Sequence, residues 1–251
     1  MTFTTVQTGI RFPFLPIPDH DFNLDTQRID LWQYPLEALW AGAESLLNTD
    51  ELQRAHRYHF ERHRRRFTLA RALLRLILAR YLNVAPHDLD FATNDYGKPY
   101  LNHSSQIQFN LSHSRDLALL AIGQHYPLGV DLEFFSSRPF QGISNMMFSP
   151  QEIQDYAHMQ PSMRSLTFFH VWAQKEAFIK ACGMGLSYPT KTFDVPVGSP
   201  ENSNIVDNRH AASWHMRSFM PKIACYAAVC HHPTIQTVRF RVLSKDAHVI
   251  R

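Results

Sequence analysis

Apolar positions recur at helical spacing in two stretches of the chain, and each stretch is followed by short runs with strand character. Phe60, Phe67, Leu74, Leu78 and Tyr81 are separated by seven, seven, four and three residues, which puts them on one face of a helix. Asn48-Thr49-Asp50-Glu51 ahead of them has the form of a capping box that opens a helix. The apolar stripe is expected to face inward and the intervening arginines outward. From Asp88 the pattern shortens to runs at Leu89–Thr93, Ile107–Leu111, Leu117–Ile122 and Leu128–Phe134, punctuated by Asn94-Asp95-Tyr96-Gly97 and Pro99. These predict strands of a small, mostly antiparallel sheet. Helical patterning resumes at Ser149-Pro150-Gln151-Glu152, with a capping serine, proline at the first helical position and glutamate at the third. A longer helix is predicted from about Ser162 to Ala181, closed by Gly183. Thr192–Val197, Lys222–Val229 and Thr234–Leu243 again read as strands.

Helices followed by strands thus occur twice, about a divide near Gly123. The expected fold class is α+β, with two similarly organised halves and a ligand site in the crevice between them. The expected organisation is an extended, Pro-rich arm over residues 1–25, a first half over 26–125 and a second over 126–251.

The composition adds exclusions. The 251 residues are 45% hydrophobic and 19% charged, enough for a packed core. No run approaches the length of a membrane span, and Met1 to His20 lacks the layout of a secretory signal. Three cysteines without a CxxC pair point away from a disulfide framework and toward a reducing cytoplasm. The net charge of +3 conceals nine arginines and one acid between Arg54 and Arg80. That segment is either a solvated helix face or the footprint of an anionic partner: nucleic acid, an acidic protein or a phosphorylated small molecule.

Three groups of residues carry candidate chemistry. In Gly129-Val130-Asp131-Leu132-Glu133, alternation along a strand puts Asp131 and Glu133 on one face. Carboxylates held side by side suit a hard divalent cation such as Mg²⁺, although a lone D-x-E more often forms the polar face of a half-buried strand. On a helix, Trp172, Glu176 and Lys180 share one face, either as a site or as an ordinary Glu–Lys surface pair. Phe109-Asn110-Leu111-Ser112-His113-Ser114 ends a strand in small polar groups and an imidazole, suited to an anion or to solvent. Other features are set aside. His59 and His63 lack the H-E-x-x-H order, Gly183 and Gly185 form no phosphate loop, and Ser112 and His113 point to opposite faces. The cysteines read as small core residues, and His231-His232 as a strand-end turn.

In their order and spacing, Tyr96-Gly97-Lys98-Pro99, Asn110-x-Ser112-His113-Ser114, Gly129-x-Asp131-x-Glu133 and Trp172-x-x-Lys175-Glu176-Ala177-x-x-Lys180 together resemble the surfactin-type (Sfp-like) phosphopantetheinyl transferases, from about Leu47 to Pro189. The resemblance implies a pseudo-dimer of two α/β halves with coenzyme A between them. It implies transfer of 4′-phosphopantetheine from coenzyme A to a serine of an acyl or peptidyl carrier protein, with release of adenosine 3′,5′-bisphosphate. By motif position, Asp131, Glu133 and Glu176 would hold Mg²⁺ and Lys180 would meet the phosphate under attack or the leaving group. His113 and Arg66 would meet the 3′-phosphate, with Arg54, Lys98, Ser112 and Lys175 also among the coenzyme A contacts. Glu176 is the favoured base; Glu152 competes with it, but equally fits the third position of its capping box. Fatty-acid, polyketide and nonribosomal-peptide carriers are all admissible partners, and a chain holding both halves has no need of a second subunit, so a monomer is expected. The readings weighed against this one are a nucleic-acid-binding module on the arginine-rich helix and a non-catalytic carrier-binding scaffold.

Overall fold

The computed structural model describes residues 15–16, 21–37, 42–102, 106–136, 140–198 and 202–243. The chain divides into two compact units. One draws on Phe14–Pro127 together with Thr234–Arg251, the other on Leu128–Pro233. Of the arm expected over residues 1–25, only 15–16 and 21–25 lie within the described residues.

The first unit contains β1 (Leu15–Pro16), β2 (Arg28–Pro35), α1 (Thr49–His56), α2 (Glu61–Leu82), β3 (Phe91–Thr93), β4 (Pro99–Leu101), β5 (Ile107–Ser114), β6 (Leu117–Gln124) and β11 (Thr237–Val242). Its five-stranded sheet has the order β1-β11-β2-β6-β5, and β3 and β4 form a separate pair. Leu69, Leu73, Leu74 and Leu78 of α2 are buried in one core with Trp32, Phe109 and Leu120 of the sheet. Asn48 caps α1 with a complete capping box. The second unit contains β7 (Leu128–Phe134), α3 (Gln141–Met147), α4 (Pro150–Ala157), α5 (Arg164–Cys182), β8 (Asn202–Asp207), β9 (Ala212–Lys222) and β10 (Cys225–His231). Its sheet runs β7-β10-β9-β8, antiparallel throughout. Each unit is therefore a small sheet packed with helices, the architecture the hydrophobic pattern predicts.

Four sequence expectations need correction. The run Thr234–Leu243 was expected in the second half, but β11 pairs in parallel with β2 of the first unit. Hydrophobic alternation identifies a strand without naming its partner, and here Arg239 and Arg241 fix the partner by pairing with Asp30 of β2. The Phe60 stripe does not continue the capped helix: the helix is interrupted between α1 and α2, and Phe60 is exposed. Nor do all the arginines stay outside, because Arg75 is fully buried. Thr192–Val197 carries the buried alternation Phe193, Val195, Val197 but joins no strand ladder.

Candidate active site

Helix α5 lies on β7 and β10. From Thr167 to Ala181 its side chains are buried at every position except Trp172, Glu176 and Lys180, which are half-exposed. These three repeat at four-residue spacing, so the helix opens along one stripe only. The β7 face that bears Asp131 and Glu133 also bears Gly129. A Cβ at Gly129 would meet the Ala177 carbonyl oxygen at 2.1 Å and the Ala181 nitrogen at 2.3 Å. The missing side chain is what lets the α5 backbone settle on the strand and carry its stripe to the acids.

At one end of the stripe Lys180 Nζ donates to Asp131 Oδ1 at 2.5 Å. At the other, Trp172 Nε1 donates to Glu133 Oε1 at 3.3 Å. Glu176 sits between them along the helix. Burial pushes its carboxyl up to about 7, repulsion from Asp131 and Glu133 adds to the rise, and Lys180 opposes it. Lys180 is thus the ammonium that the stripe itself brings to these carboxylates. The oxygen-only donor set of Asp131, Glu133 and Glu176 fits a hard divalent cation. Among the described residues no three His, Cys, Asp or Glu side chains form a ready-made ion site. Asp131 is instead engaged by Lys180, an ion pair the motif spacing does not reveal.

Two sequence assignments end elsewhere. Glu152 completes the α4 capping box, accepting from the Ser149 backbone N–H at 2.7 Å, and its other oxygen accepts from Val195 N–H at 2.7 Å. It is buried and paired at 2.8 Å with Lys175, which is itself fully buried. Burial raises the Glu152 carboxyl and lowers the Lys175 ammonium, while each partner opposes the shift in the other. Both groups are buried, and Lys175 donates to Glu152 and to the backbone oxygens of Thr190 and Phe193. In the first unit, Arg54 of α1 is exposed and lies over the Phe67 ring. Arg66 of α2 grips Asp116 with both Nε and Nη2, at 2.9 and 2.8 Å. Lys98 lies in the β3–β4 turn, half-buried. On β5, Ser112 is buried and His113 exposed, as alternation requires. The arginine-rich segment is less free than its sequence implies, since Arg65 and Arg66 share Asp116 while Arg71 and Arg75 share Glu51.

Comparison with known proteins places this arrangement. Residues 127–229 match the 4′-phosphopantetheinyl transferase superfamily, and residues 30–125 match the N-terminal part of 4′-phosphopantetheinyl transferases. The chain is 32% identical over 227 residues to the 4′-phosphopantetheinyl transferase HetI of a Nostoc species, covering 88% of this chain and 94% of the relative. The chain belongs to the 4′-phosphopantetheinyl transferase superfamily. Further relatives are the 4′-phosphopantetheinyl transferase Sfp of Bacillus subtilis, 30% identical over 60% of this chain and 66% of its own, and the mouse L-aminoadipate-semialdehyde dehydrogenase-phosphopantetheinyl transferase, 28% identical over 68% and 59%.

One further feature of the transferase was missed by sequence reasoning. An open pocket of about 490 Å³ in the second unit is lined by Ile143, Met146 and Met147 of α3, by Trp172, by Leu186 and by Tyr188 to Lys191. Ile143, Met146 and Leu186 are exposed apolar side chains at this pocket. Trp172 borders the pocket while its indole N–H holds Glu133, so pocket and acid cluster share a wall. No periodic pattern announces α3, whose seven residues are too few to show one.

Proposed function

We propose that the transferase moves 4′-phosphopantetheine from coenzyme A to a serine hydroxyl of an acyl or peptidyl carrier protein and releases adenosine 3′,5′-bisphosphate. The observation that carries this reading is the single open stripe of α5, which aligns Trp172, Glu176 and Lys180 with Asp131 and Glu133. Attack of a hydroxyl on a diphosphate needs negative charge offset on the diphosphate and a proton removed from the hydroxyl. Asp131, Glu133 and Glu176 are the residues that would hold Mg²⁺, whose charge, when bound, neutralises the diphosphate oxygens. Lys180, released from Asp131, lies at the edge of the acids, where it can donate to the bridging oxygen as the leaving group departs. Glu176, on the open stripe beside Asp131 and Glu133, is the carboxylate favoured to accept the serine proton.

The apolar pocket beside Trp172 suits the uncharged pantetheine arm, leaving the phosphate end toward the acids. Arg54, Arg66, Lys98, Ser112 and His113 of the first unit are assigned to the nucleotide, with Arg66 and His113 at the 3′-phosphate. Three free cysteines suit a cytoplasmic setting, and we take the enzyme as a monomer acting on fatty-acid, polyketide or nonribosomal-peptide carriers. Incubation with coenzyme A, Mg²⁺ and a panel of apo carriers, followed by mass spectrometry, tests the reading. At least one carrier gains one phosphopantetheine, and Asp131→Ala or Glu176→Ala lowers the rate about a hundredfold or more. Absence of modification on every carrier overturns the activity, and full activity in both variants overturns the acid assignment.

A further inference from the structure

Successive residues of α5 face different tasks: Glu176 lies on the open stripe, and Lys175 points into the second unit. The Lys175 ammonium has three N–H donors and meets three acceptors: Glu152 Oε2 at 2.8 Å, Thr190 O at 2.6 Å and Phe193 O at 2.8 Å. It also lies 4.2 Å from the centre of the Phe193 ring. Glu152 closes the circuit by accepting from Val195 N–H and from Ser149 N–H at the start of α4. The pair therefore fastens residues 190–195 to α4 and α5 at three backbone points. Beyond one short 3₁₀ turn, Thr190–Thr192, this segment has no helix or ladder to hold it. Tyr188, Pro189, Thr190 and Lys191, at and just before the fastened end, line the apolar pocket.

We infer that Glu152 and Lys175 form a positioning pair that sets the wall of the pocket for the pantetheine arm, so that they govern recognition of coenzyme A through its arm and not through its nucleotide. This inference rests on the pocket assignment given under the proposed function. A buried ion pair is seldom the most stabilising way to fill a core, and removing one member leaves the other charged and unmet. The informative variant is therefore the double Lys175→Met/Glu152→Gln, which keeps the charge balanced and removes the tether to Thr190 and Phe193. Glu152→Asp, which keeps both charges but shortens the reach to Lys175 and Val195, is the companion should the double variant fail to fold.

The measurements are thermal unfolding, kcat and KM for coenzyme A with an apo carrier, and inhibition by adenosine 3′,5′-bisphosphate, which lacks the arm. The double variant raises KM for coenzyme A about tenfold, because a displaced wall loosens a positioned substrate. It leaves the inhibition constant of the bisphosphate within about twofold, and Glu152→Asp shows the same split at about threefold. A variant that melts earlier yet keeps the wild-type KM has lost only stability and overturns the inference. So does a fall in kcat at constant KM, which marks a catalytic group, or a parallel rise in the bisphosphate constant, which marks a nucleotide contact. If the wild-type protein modifies no carrier, the proposed function fails first; an active wild type with unchanged variants defeats the positioning pair alone.

Discussion

The acids paired with arginine in the first unit and the acids at the α5 stripe of the second meet their neighbours in different ways. In the first, each of three acids is met by two or more arginines: Glu51 by Arg71 and Arg75, Asp116 by Arg65 and Arg66, and Asp30 by Arg28, Arg239 and Arg241. Burial pushes the Glu51 carboxyl up, but the two guanidinium groups more than reverse it and hold it below the usual carboxylate range. Hydrogen bonds from Arg66 lead the same lowering at Asp116. In the second unit the α5 stripe sets Glu176 beside two further acids, Asp131 and Glu133, and despite Lys180 its carboxyl rises to about 7, with burial as the largest cause. An acid outnumbered by cations is settled and structural. A carboxyl raised by burial and by neighbouring acids gains from any cation brought to it.

The largest expected effect breaks the first arrangement. Glu51→Ala leaves Arg71 and Arg75 without their shared acceptor, Arg75 at full burial, and is expected to cost about 3 to 5 kcal/mol in urea unfolding. A loss below 1 kcal/mol would show that the guanidinium groups find other partners. The next effect belongs to the second unit. Burial holds His170, stacked on Tyr226, down at about 4 against an ordinary 6.5. The unfolded chain then takes up the proton first as the medium acidifies. The contribution of neutral His170 is complete above pH 6.5 and is lost as pH falls toward 4. The stability gap between wild type and His170→Gln should therefore shift by about 3 kcal/mol over this range, against wild type at low pH. A gap independent of pH contradicts it.

Gly129→Ala sharpens the comparison from the backbone side. Its Cβ collides with the Ala177 carbonyl, so α5 must lift from β7, at a cost of about 1 to 3 kcal/mol. Carrier modification should fall further than stability does, because the stripe moves relative to Asp131. A variant with reduced stability and undiminished turnover per folded molecule would separate the two. The smallest effect is that of Asp116→Asn, whose arginine partners are all partly exposed: less than about 1 kcal/mol, read from denaturant unfolding at two salt concentrations.

Much of this arrangement was legible in the sequence where it depends on local periodicity. The capping boxes at Asn48 and Ser149 form as the residues imply, and the predicted helix from Ser162 to Ala181 appears as Arg164–Cys182, ended by Gly183 with φ of 74°. The shared face of Trp172, Glu176 and Lys180 follows from helix geometry alone. What was not legible depends on partners distant in sequence. The identity of Arg75 or Lys175 says nothing of depth until Glu51 and Glu152 are seen beside them, 24 and 23 residues away in the chain. The parallel pairing of β11 with β2 joins Arg239 to Asp30 across 209 residues, and no local pattern encodes it. Gly129 lies between these cases: its place on the acid-bearing face could have been inferred from alternation, but its contact with Ala177 could not.

The central claim is that Asp131, Glu133 and Glu176 act as one cation site. Titration with Mn²⁺ followed by electron paramagnetic resonance, in the presence of coenzyme A, tests it on wild type and on Asp131→Asn, Glu133→Gln and Glu176→Gln. The account predicts one ion per wild-type chain and binding weakened at least about tenfold in every variant. Variants that bind the ion as tightly as wild type would contradict it.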